Sequence, residues 1–542
     1  MNIFSSGQKP RNSLLELRGF FCCFPGPLFF VLIRSITHMN NRFRILPHVL
    51  VLMWFPQMMM AGGPQQDFRQ IESLLVELRL DQAAEQIQLI EDPGYQSFYY
   101  SNLGLYQVLS SMKRSEFASF RAQWDQWEEQ VRNLLRADTL REVMLADMSA
   151  KRAIVEFIDH RYLNAVYHVR SARKYLDESR DTYGLMVEQM KLEGLFEVLL
   201  SSMPRKYKWI ADPLGFSGDM STGLSYLRIS AKTCRLFNGE SQLLLALIEK
   251  NILDQPETTI RRLERYQRKL QRPAILIDFF HASCLQSIKR NHHSLELLSS
   301  KDRFGDGISD FPFWDYLAGK ARYFNGNTAA ARRSFASFLD GYEGQLFASD
   351  AIFRIGMCWL LDGDPQEARP YFQSVVSQQP HHFDEDAYAY ALAARFLRQN
   401  PGPVCLNLFR ARSAYDGGYY ERAAHILEET QDTYALRSEE WVEWYYRLGR
   451  ILQDQGKIED AIRAYQNSLK FQSDEYTSWI QAYSCFYLGE LYSGQHDHRQ
   501  ADAFYQQALE YDDYFYQSGL ENKCKSARSE MLRKQSQVTS SR

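Results

Sequence analysis

Residues 349–380 read SDAIFRIGMCWLLDGDPQEARPYFQSVVSQQP. Four residues in this stretch decide its reading: Gly356, Gly363, Ala368 and Phe372, separated by steps of seven, five and four. Apolar residues around them recur at helical spacing, so the stretch predicts two helices joined near Gly363. A glycine or alanine at the first position lets two antiparallel helices touch, because a larger side chain would push close-packed backbones apart. The second position falls at the turn, where positive φ is cheap only without a Cβ. The alanine opens the inner face of the second helix, and the aromatic one turn later fills the gap it leaves. Pro380 closes the unit, since proline does not continue a helix.

The same steps link Gly319, Gly326, Ala331 and Phe335, and again Gly449, Gly456, Ala461 and Tyr465. Weaker copies are Ala411, Gly418, Ala423, Leu427 and Gly489, His496, Ala501, Tyr505. The first markers of successive copies lie 37, 55, 38 and 40 residues apart. The long interval predicts an additional helix over residues 387–397, AYAYALAARFL. The small–large–small order and the closing proline resemble the tetratricopeptide repeat. Trp359 and Tyr492 stand where that family has an aromatic, and Leu452 departs from it. The resemblance implies an all-α fold, an α-solenoid of helical hairpins, whose work is to bind other proteins.

A chain of 542 residues is too long for one compact core, but a solenoid grows in one dimension and escapes that limit. Charged residues make up 24% and apolar ones 45%, a soluble globular mixture. The formal net charge of −3 supplies no overall basic field for nucleic acid. Aromatic residues reach 14%, which suits helix packing in repeats and equally an aromatic-lined groove. None of the eight cysteines forms a CxxC pair, and those beyond residue 60 lie singly on helical stretches, so buried packing is expected rather than disulfides or zinc.

The first 65 residues do not read as repeat protein. A short basic region after Met39 precedes ILPHVLVLMWFPQMMMA (45–61) and then Gly62, Gly63 and Pro64. This order fits a secretory signal, with Met39 a natural alternative initiator. Export to the periplasm or cell envelope is the expectation; an uncleaved membrane anchor and a cytoplasmic chain are the alternatives. A second apolar patch, CCFPGPLFFVLI (22–33), adds to the anchor reading.

Between residues 66 and 300 the periodicity predicts a helical region with degenerate repeats. Ala83 and Ile87 reproduce the last step of the pattern, and Asp92, Pro93 and Gly94 break the chain. Residues 97–112, 116–136 and 138–176 follow as helical runs, and 230–251, 258–269, 274–289, 294–299 and 312–323 continue them. Trp124 and Trp127 are expected as packing anchors. Arg261, Arg262, Arg265, Arg268 and Lys269 form a solvated helix face or a weak nucleic-acid stripe. Residues 300–311, SKDRFGDGISDF, lack the calcium-loop order and read as a plain connection.

One segment has a sharper character: GLFEVLLSSMPRKYKWIADPLGFSGDMSTGLSYL, residues 194–227. It predicts a helix ending near Met203 and Pro204, a short helix through Trp209, and a turn at GFSGD. Ser217 or Asp219 would cap the helix that follows. With the alanine-rich run 139–176 and Tyr511, Asp512, Asp513 and Tyr514, this segment resembles the tetratricopeptide-repeat 39 and inclusion-body-clearance family, in a bacterial branch. That resemblance spans residues 67–530 and implies an adaptor without a catalytic centre. The GFSGD glycines lack the lysine and the preceding strand of a phosphate loop, so a structural turn is expected.

No HExxH, GxSxG, Walker or dinucleotide motif appears, and the local histidine pairs 292/293, 381/382 and 496/498 have no converging ligands in sequence. No catalytic, cofactor or metal residues are therefore assigned. Recognition is better supported. In tetratricopeptide arrays the first helix of each hairpin lines the concave groove, which projects Phe313, Tyr316, Lys320 and Tyr323 into it. Phe353, Met357 and Leu360 follow, then Leu408, Arg412 and Tyr415, Tyr446 and Arg450, and finally Tyr483, Phe486 and Glu490. The competing use of these side chains is packing on neighbouring helices. As a groove they would suit a protein or peptide partner with apolar and acidic residues, not nucleic acid. Membrane association would run through the N-terminus alone. The expected organisation is 1–65 signal-like, 66–300 helical, 301–534 repeat array with a capping helix, and 535–542 polar tail.

Overall fold

The computed structural model describes residues 68–134, 138–202, 218–234, 236–299, 301–378, 384–474, 476–512, 514 and 517–540. The signal-like segment, Pro380 with His381 and His382, and residues 208–210 and 215–217 lie outside the described residues. Among the described residues there are twenty-four α-helices and no strand. The all-α reading is therefore correct.

Twenty-two of these helices form eleven antiparallel pairs. The first six are α1 (Arg69–Val76) with α2 (Leu80–Gln88), α3 (Pro93–Ser111) with α4 (Arg114–Arg132), α5 (Arg141–Ile158) with α6 (Tyr162–Tyr183), α7 (Met190–Ser201) with α8 (Met220–Thr233), α9 (Asn238–Asn251) with α10 (Pro256–Gln267), and α11 (Ile275–Ser287) with α12 (Asn291–Leu298). Next come α13 (Phe313–Phe324) with α14 (Thr328–Leu339) and α15 (Ala348–Leu361) with α16 (Pro365–Ser377). The single helix α17 (Asp384–Arg398) fills the 55-residue interval, as its periodicity predicts. The last pairs are α18 (Pro403–Asp416) with α19 (Tyr420–Thr433), α20 (Ser438–Asp454) with α21 (Ile458–Ser468), and α22 (Ser478–Gly494) with α23 (His498–Ala508). The terminal helix α24 (Gln517–Ser540) lays Leu520, Cys524 and Met531 over the open end of the array, against Phe486, Ala501 and Tyr505. It runs past residue 534 because nothing after Gly519 breaks it, so most of the stretch read as a polar tail is helical.

The marker residues meet as their spacing requires. A Cβ added to Gly319 would lie 2.7 Å from the Phe335 ring, and Gly356 and Gly449 face Phe372 and Tyr465 at the same distance. Gly489 faces Tyr505 at 2.6 Å, while Ala331, Ala368, Ala423, Ala461 and Ala501 are fully buried. At the turns Gly326, Gly363, Gly418, Gly456 and His496 all have positive φ. The residue after each turn reaches back to close the helix end, as Asn327 N–H does to the Arg322 carbonyl at 3.0 Å and Lys457 N–H to Leu452 at 2.9 Å.

The N-terminal half uses the same device with other residues. Leu78, Met112, His160, Asp254 and Lys289 occupy its turns with positive φ. Arg79, Arg161 and Arg290 make the equivalent closing bonds, to Leu74, Glu156 and Leu285, at 2.8–2.9 Å. Three of these hairpins repeat the seven–five–four steps without a turn glycine: Ile71, Leu78, Ala83, Ile87; Ala153, His160, Ala165, Val169; and Ala282, Lys289, Ser294, Leu298. This corrects two expected elements. The run 138–176 is not continuous but turns at His160, and 230–251 breaks between Thr233 and Asn238.

The α7–α8 pair crosses backbone to backbone: a Cβ on Gly194 would sit 2.7 Å from the Gly223 carbonyl oxygen, and one on Gly218 would overlap the Glu197 carbonyl. Asp219 caps α8, accepting from Thr222 N–H at 2.7 Å and from the Ser221 hydroxyl at 2.9 Å. Of the two expected caps, this is the one the described residues contain.

Packing differs along the chain. One continuous apolar core joins residues from Ile71 to Phe396, across residue 300. Beyond it lie smaller clusters, each shared by neighbouring hairpins. Inside the first core sits a buried ionic knot from α5, α7 and α9. Lys151 Nζ lies 2.6 Å from Asp147 and 2.7 Å from Glu240, and donates to Asn102 at 2.6 Å. Lys191 Nζ joins the same two carboxylates, 2.5 Å from Glu240, and rests 3.8 Å above the Phe237 ring. Helix α1 docks beside it, Glu72 Oε2 accepting from Gly239 N–H at 3.2 Å.

Candidate functional site: the first-helix face

The first helices of the C-terminal hairpins touch one another, α13 and α15 with α18, α18 with α20, and α20 with α22. Their shared register makes one face, because the residue following each small marker points the same way on every helix. That position holds Lys320, Met357, Arg412, Arg450 and Glu490.

Of the fifteen residues projected into the groove, Phe313, Tyr316, Tyr323, Tyr415, Tyr446 and Phe486 are buried against the chain itself, and Glu490 is exposed. Lys320, Arg412, Arg450 and Tyr483 keep partial exposure. Phe353, Met357, Leu360 and Leu408 are likewise buried. The aromatic part of the projected surface is largely spent on packing: Tyr316 stacks on Phe347 at 4.6 Å, and Tyr446 meets Trp479 edge-on at 5.8 Å. What remains accessible is mostly cationic.

These cations are held between rings and carboxylates. At one end, Tyr316 donates its hydroxyl to Asp350 Oδ2 at 2.8 Å, Arg354 Nε pairs with the same oxygen at 2.6 Å, and Lys320 Nζ sits 5.7 Å over the Tyr316 ring. Burial and the Arg354 guanidinium push the Lys320 ammonium below its usual value, against Asp350 and Glu385. Further along, Tyr415 donates to Asp454 Oδ2 at 2.8 Å, Lys289 Nζ pairs with that carboxylate at 3.0 Å, and Arg450 lies 5.5 Å over the Tyr415 ring while donating to its hydroxyl at 2.8 Å. Arg450 also stacks on Tyr487 at 3.6 Å. Between the two ends, Arg412 donates to the Tyr388 hydroxyl at 2.9 Å and pairs with Asp416 at 3.7 Å, and Arg447 pairs with Glu443 at 3.0 Å.

Several of these residues escape the spacing argument. Tyr388 stands on α17, outside any hairpin, and Lys289 sits in a turn without glycine. Arg354 and Arg447 were accessible to it, since each precedes its marker glycine by two positions. Elsewhere, the basic helix α10 spends Arg262 on Glu249 at 2.5 Å. No group of three metal-ligating side chains converges among the described residues. Burial pushes the thiols of Cys358, Cys405, Cys485 and Cys524 up to about 12.

With this geometry in place, comparison with known proteins agrees on the class. Tetratricopeptide-repeat profiles match residues 316–382 and 442–513. The chain carries tetratricopeptide repeats, in an all-α array of the kind that serves protein–protein interaction. No curated protein matches its sequence. Among solved structures, the human IFIT1 dimer with PPP-AAAA is similar at 13% identity, TM-score 0.25, over 81% of this chain and 94% of that one. The Cut9–Hcn1 hetero-tetramer of the APC/C is similar at 13% identity, TM-score 0.26, over 88% of this chain and 96% of that one. At such scores neither likeness carries a functional argument.

Proposed function

We propose that the chain is a non-catalytic scaffold that binds a protein partner along the first-helix face of its C-terminal repeats. The observation that carries this reading is the row Lys320, Arg412 and Arg450, which stays partly exposed in one register while the surrounding rings are buried. Affinity capture from the native source, with the wild-type chain beside Lys320→Ala, Arg412→Ala and Arg450→Ala, tests it. Loss of the same partner in at least two variants is expected; undiminished capture of every partner removes the face from consideration. Tyr316 and Tyr446 are unsuitable probes, because their burial would confuse lost binding with lost fold.

Among the described residues no helix is long and apolar enough to cross a membrane. Export, and kinship with the tetratricopeptide-repeat 39 and inclusion-body-clearance family, rest on residues 39–64 and 194–227 respectively. Mass spectrometry of the N-terminus of the natural protein decides the first: a start beyond residue 60 supports cleavage, and a start at Met1 or Met39 rejects it.

A further inference from the structure

The two ends of the cationic row are copies of one arrangement. In each, a tyrosine hydroxyl donates to an aspartate at 2.8 Å, a first cation pairs with that aspartate, and a second cation lies over the ring of the same tyrosine. At the first node these are Tyr316, Asp350, Arg354 and Lys320; at the second, Tyr415, Asp454, Lys289 and Arg450. Each node therefore holds two positive charges against one shared carboxylate. Among the described residues, Lys320 Nζ makes no ion pair or hydrogen bond, and Arg450 reaches no carboxylate directly. Around Lys320, Glu385 favours the charged ammonium and Lys250 opposes it. A half-buried cation without its own counter-ion is costly, whereas one completed by an incoming anion gains a short charge-assisted bond.

Resting on the scaffold reading above, we infer that the partner segment is an extended acidic peptide, whose carboxylates complete the nodes at Lys320 and Arg450. The buried rings leave little apolar surface to grip, so charge selects the segment. A nucleic-acid strand fits less well. Between the nodes Asp416 and Glu443 interleave with Arg412 and Arg447, where a continuous phosphate chain would meet like charge. A peptide places a carboxylate at each node and neutral residues between. The whole chain, at a net −3, adds no long-range attraction for polyanions.

The probe is an immobilised array of random twelve-residue peptides, read with the full-length wild-type chain and with the Lys320→Gln/Arg450→Gln double variant at low salt. The expected result is enrichment of Asp and Glu at two positions among bound peptides, with at least tenfold weaker signal for the variant. Lys320→Glu, at a part-exposed site, keeps the test decisive if the double variant misfolds: it should shift the preference at one position from acidic to basic residues. Binding of no peptide, selection of apolar or basic peptides, or acidic enrichment unchanged in both variants overturns the inference. So does a single-stranded oligonucleotide that binds the wild-type chain and displaces the selected peptides at lower concentration than they bind. A partner captured through the face but lacking an acidic segment would leave the scaffold reading standing while removing this one.

Discussion

The two halves of this molecule handle charge in opposite ways. In the N-terminal half, Lys151 and Lys191 are sealed between Asp147 and Glu240, two cations against two carboxylates, and each is under one tenth exposed. In the C-terminal half, Lys320 and Arg450 stand over tyrosine rings, each beside an aspartate that is paired with a different cation. A closed knot has no reason to attract a ligand, because its charges are already balanced and opening it would expose them. The open arrangement is incomplete without one. In the scaffold proposed above, the N-terminal half would serve as the base of the array and the repeats beyond it as the binding surface.

Breaking the knot gives the largest effect. Lys191→Ala leaves Asp147 and Glu240 sharing one lysine in a buried site, a loss of about 3–5 kcal/mol. Chemical denaturation should show it as a large fall in midpoint for the transition of the core that joins Ile71 to Phe396. By contrast, Lys320→Ala should barely move that midpoint. Equal effects from the two would erase the distinction between closed and open charge.

The turns provide a second contrast, this one within the C-terminal half. Gly418 has φ of +81°, and a Cβ there would overlap the Lys289 carbonyl, where the turn of one hairpin rests on that of another. Gly363 has φ of +91° but nothing within 4 Å. Gly363→Ala should therefore cost only left-handed strain, about 1–2 kcal/mol. Gly418→Ala adds a clash of about 1–3 kcal/mol to the same strain. Thermal unfolding of the pair measures the difference; indistinguishable melting temperatures would mean that the 289 and 418 turns are not in contact.

This contrast also explains what could be read in advance. Where the turn residue is glycine, as at 326, 363, 418 and 456, the seven–five–four steps stand out and the hairpins follow directly. At Leu78, His160 and Lys289 the backbone is the same, but the residue carries no signal. The steps Ala153 to Ala165 were present in the sequence, yet without a glycine between them nothing marked the turn, and 138–176 looked like one helix; around Lys289 two helices were legible, but not as a copy of the repeat. The candidate face was legible only as a register. Whether a projected tyrosine faces solvent or a neighbouring ring depends on contacts such as Tyr316 with Phe347, a residue in a loop that periodicity does not reach. Tyr388 and Asp454 joined the site for the same reason: they come from an inserted helix and a helix end, which spacing does not place.

Helix α1 supplies a smaller, pH-dependent test of the closed half. Burial is the main reason the Glu72 carboxyl is pushed up to about 8, with the Gly239 N–H opposing it, Glu240 adding to it, and Lys191 and Lys151 acting against it. The folded chain then holds a proton at Glu72 that the unfolded chain gives up near the ordinary carboxyl value. Stability should fall as pH rises from that value through about 8. Glu72→Gln keeps an acceptor for Gly239 N–H and removes the titration. Melting temperatures at pH 5, 7 and 9 should decline less in the variant, with a gain at pH 9 of about 1–3 kcal/mol relative to the wild-type chain. Parallel declines would place the loss elsewhere.

The smallest effect is expected at His496, the one turn of the C-terminal array whose residue is not glycine. Its φ is +63° and its side chain is exposed, so the histidine contributes strain without burying surface. His496→Gly relieves that strain but enlarges the freedom of the unfolded chain, and the two terms oppose each other. Left-handed strain of about 1–2 kcal/mol exceeds the entropic penalty of about 0.5–1 kcal/mol, leaving a net gain of about 0.5–1 kcal/mol. The same change at Leu78 should destabilise, because that side chain is 1% exposed and its packing outweighs the strain it causes. A gain at 496 with a loss at 78 would establish that the two halves share one turn geometry and differ in what fills it; a loss at both would mean that the left-handed turns are not strained in either half.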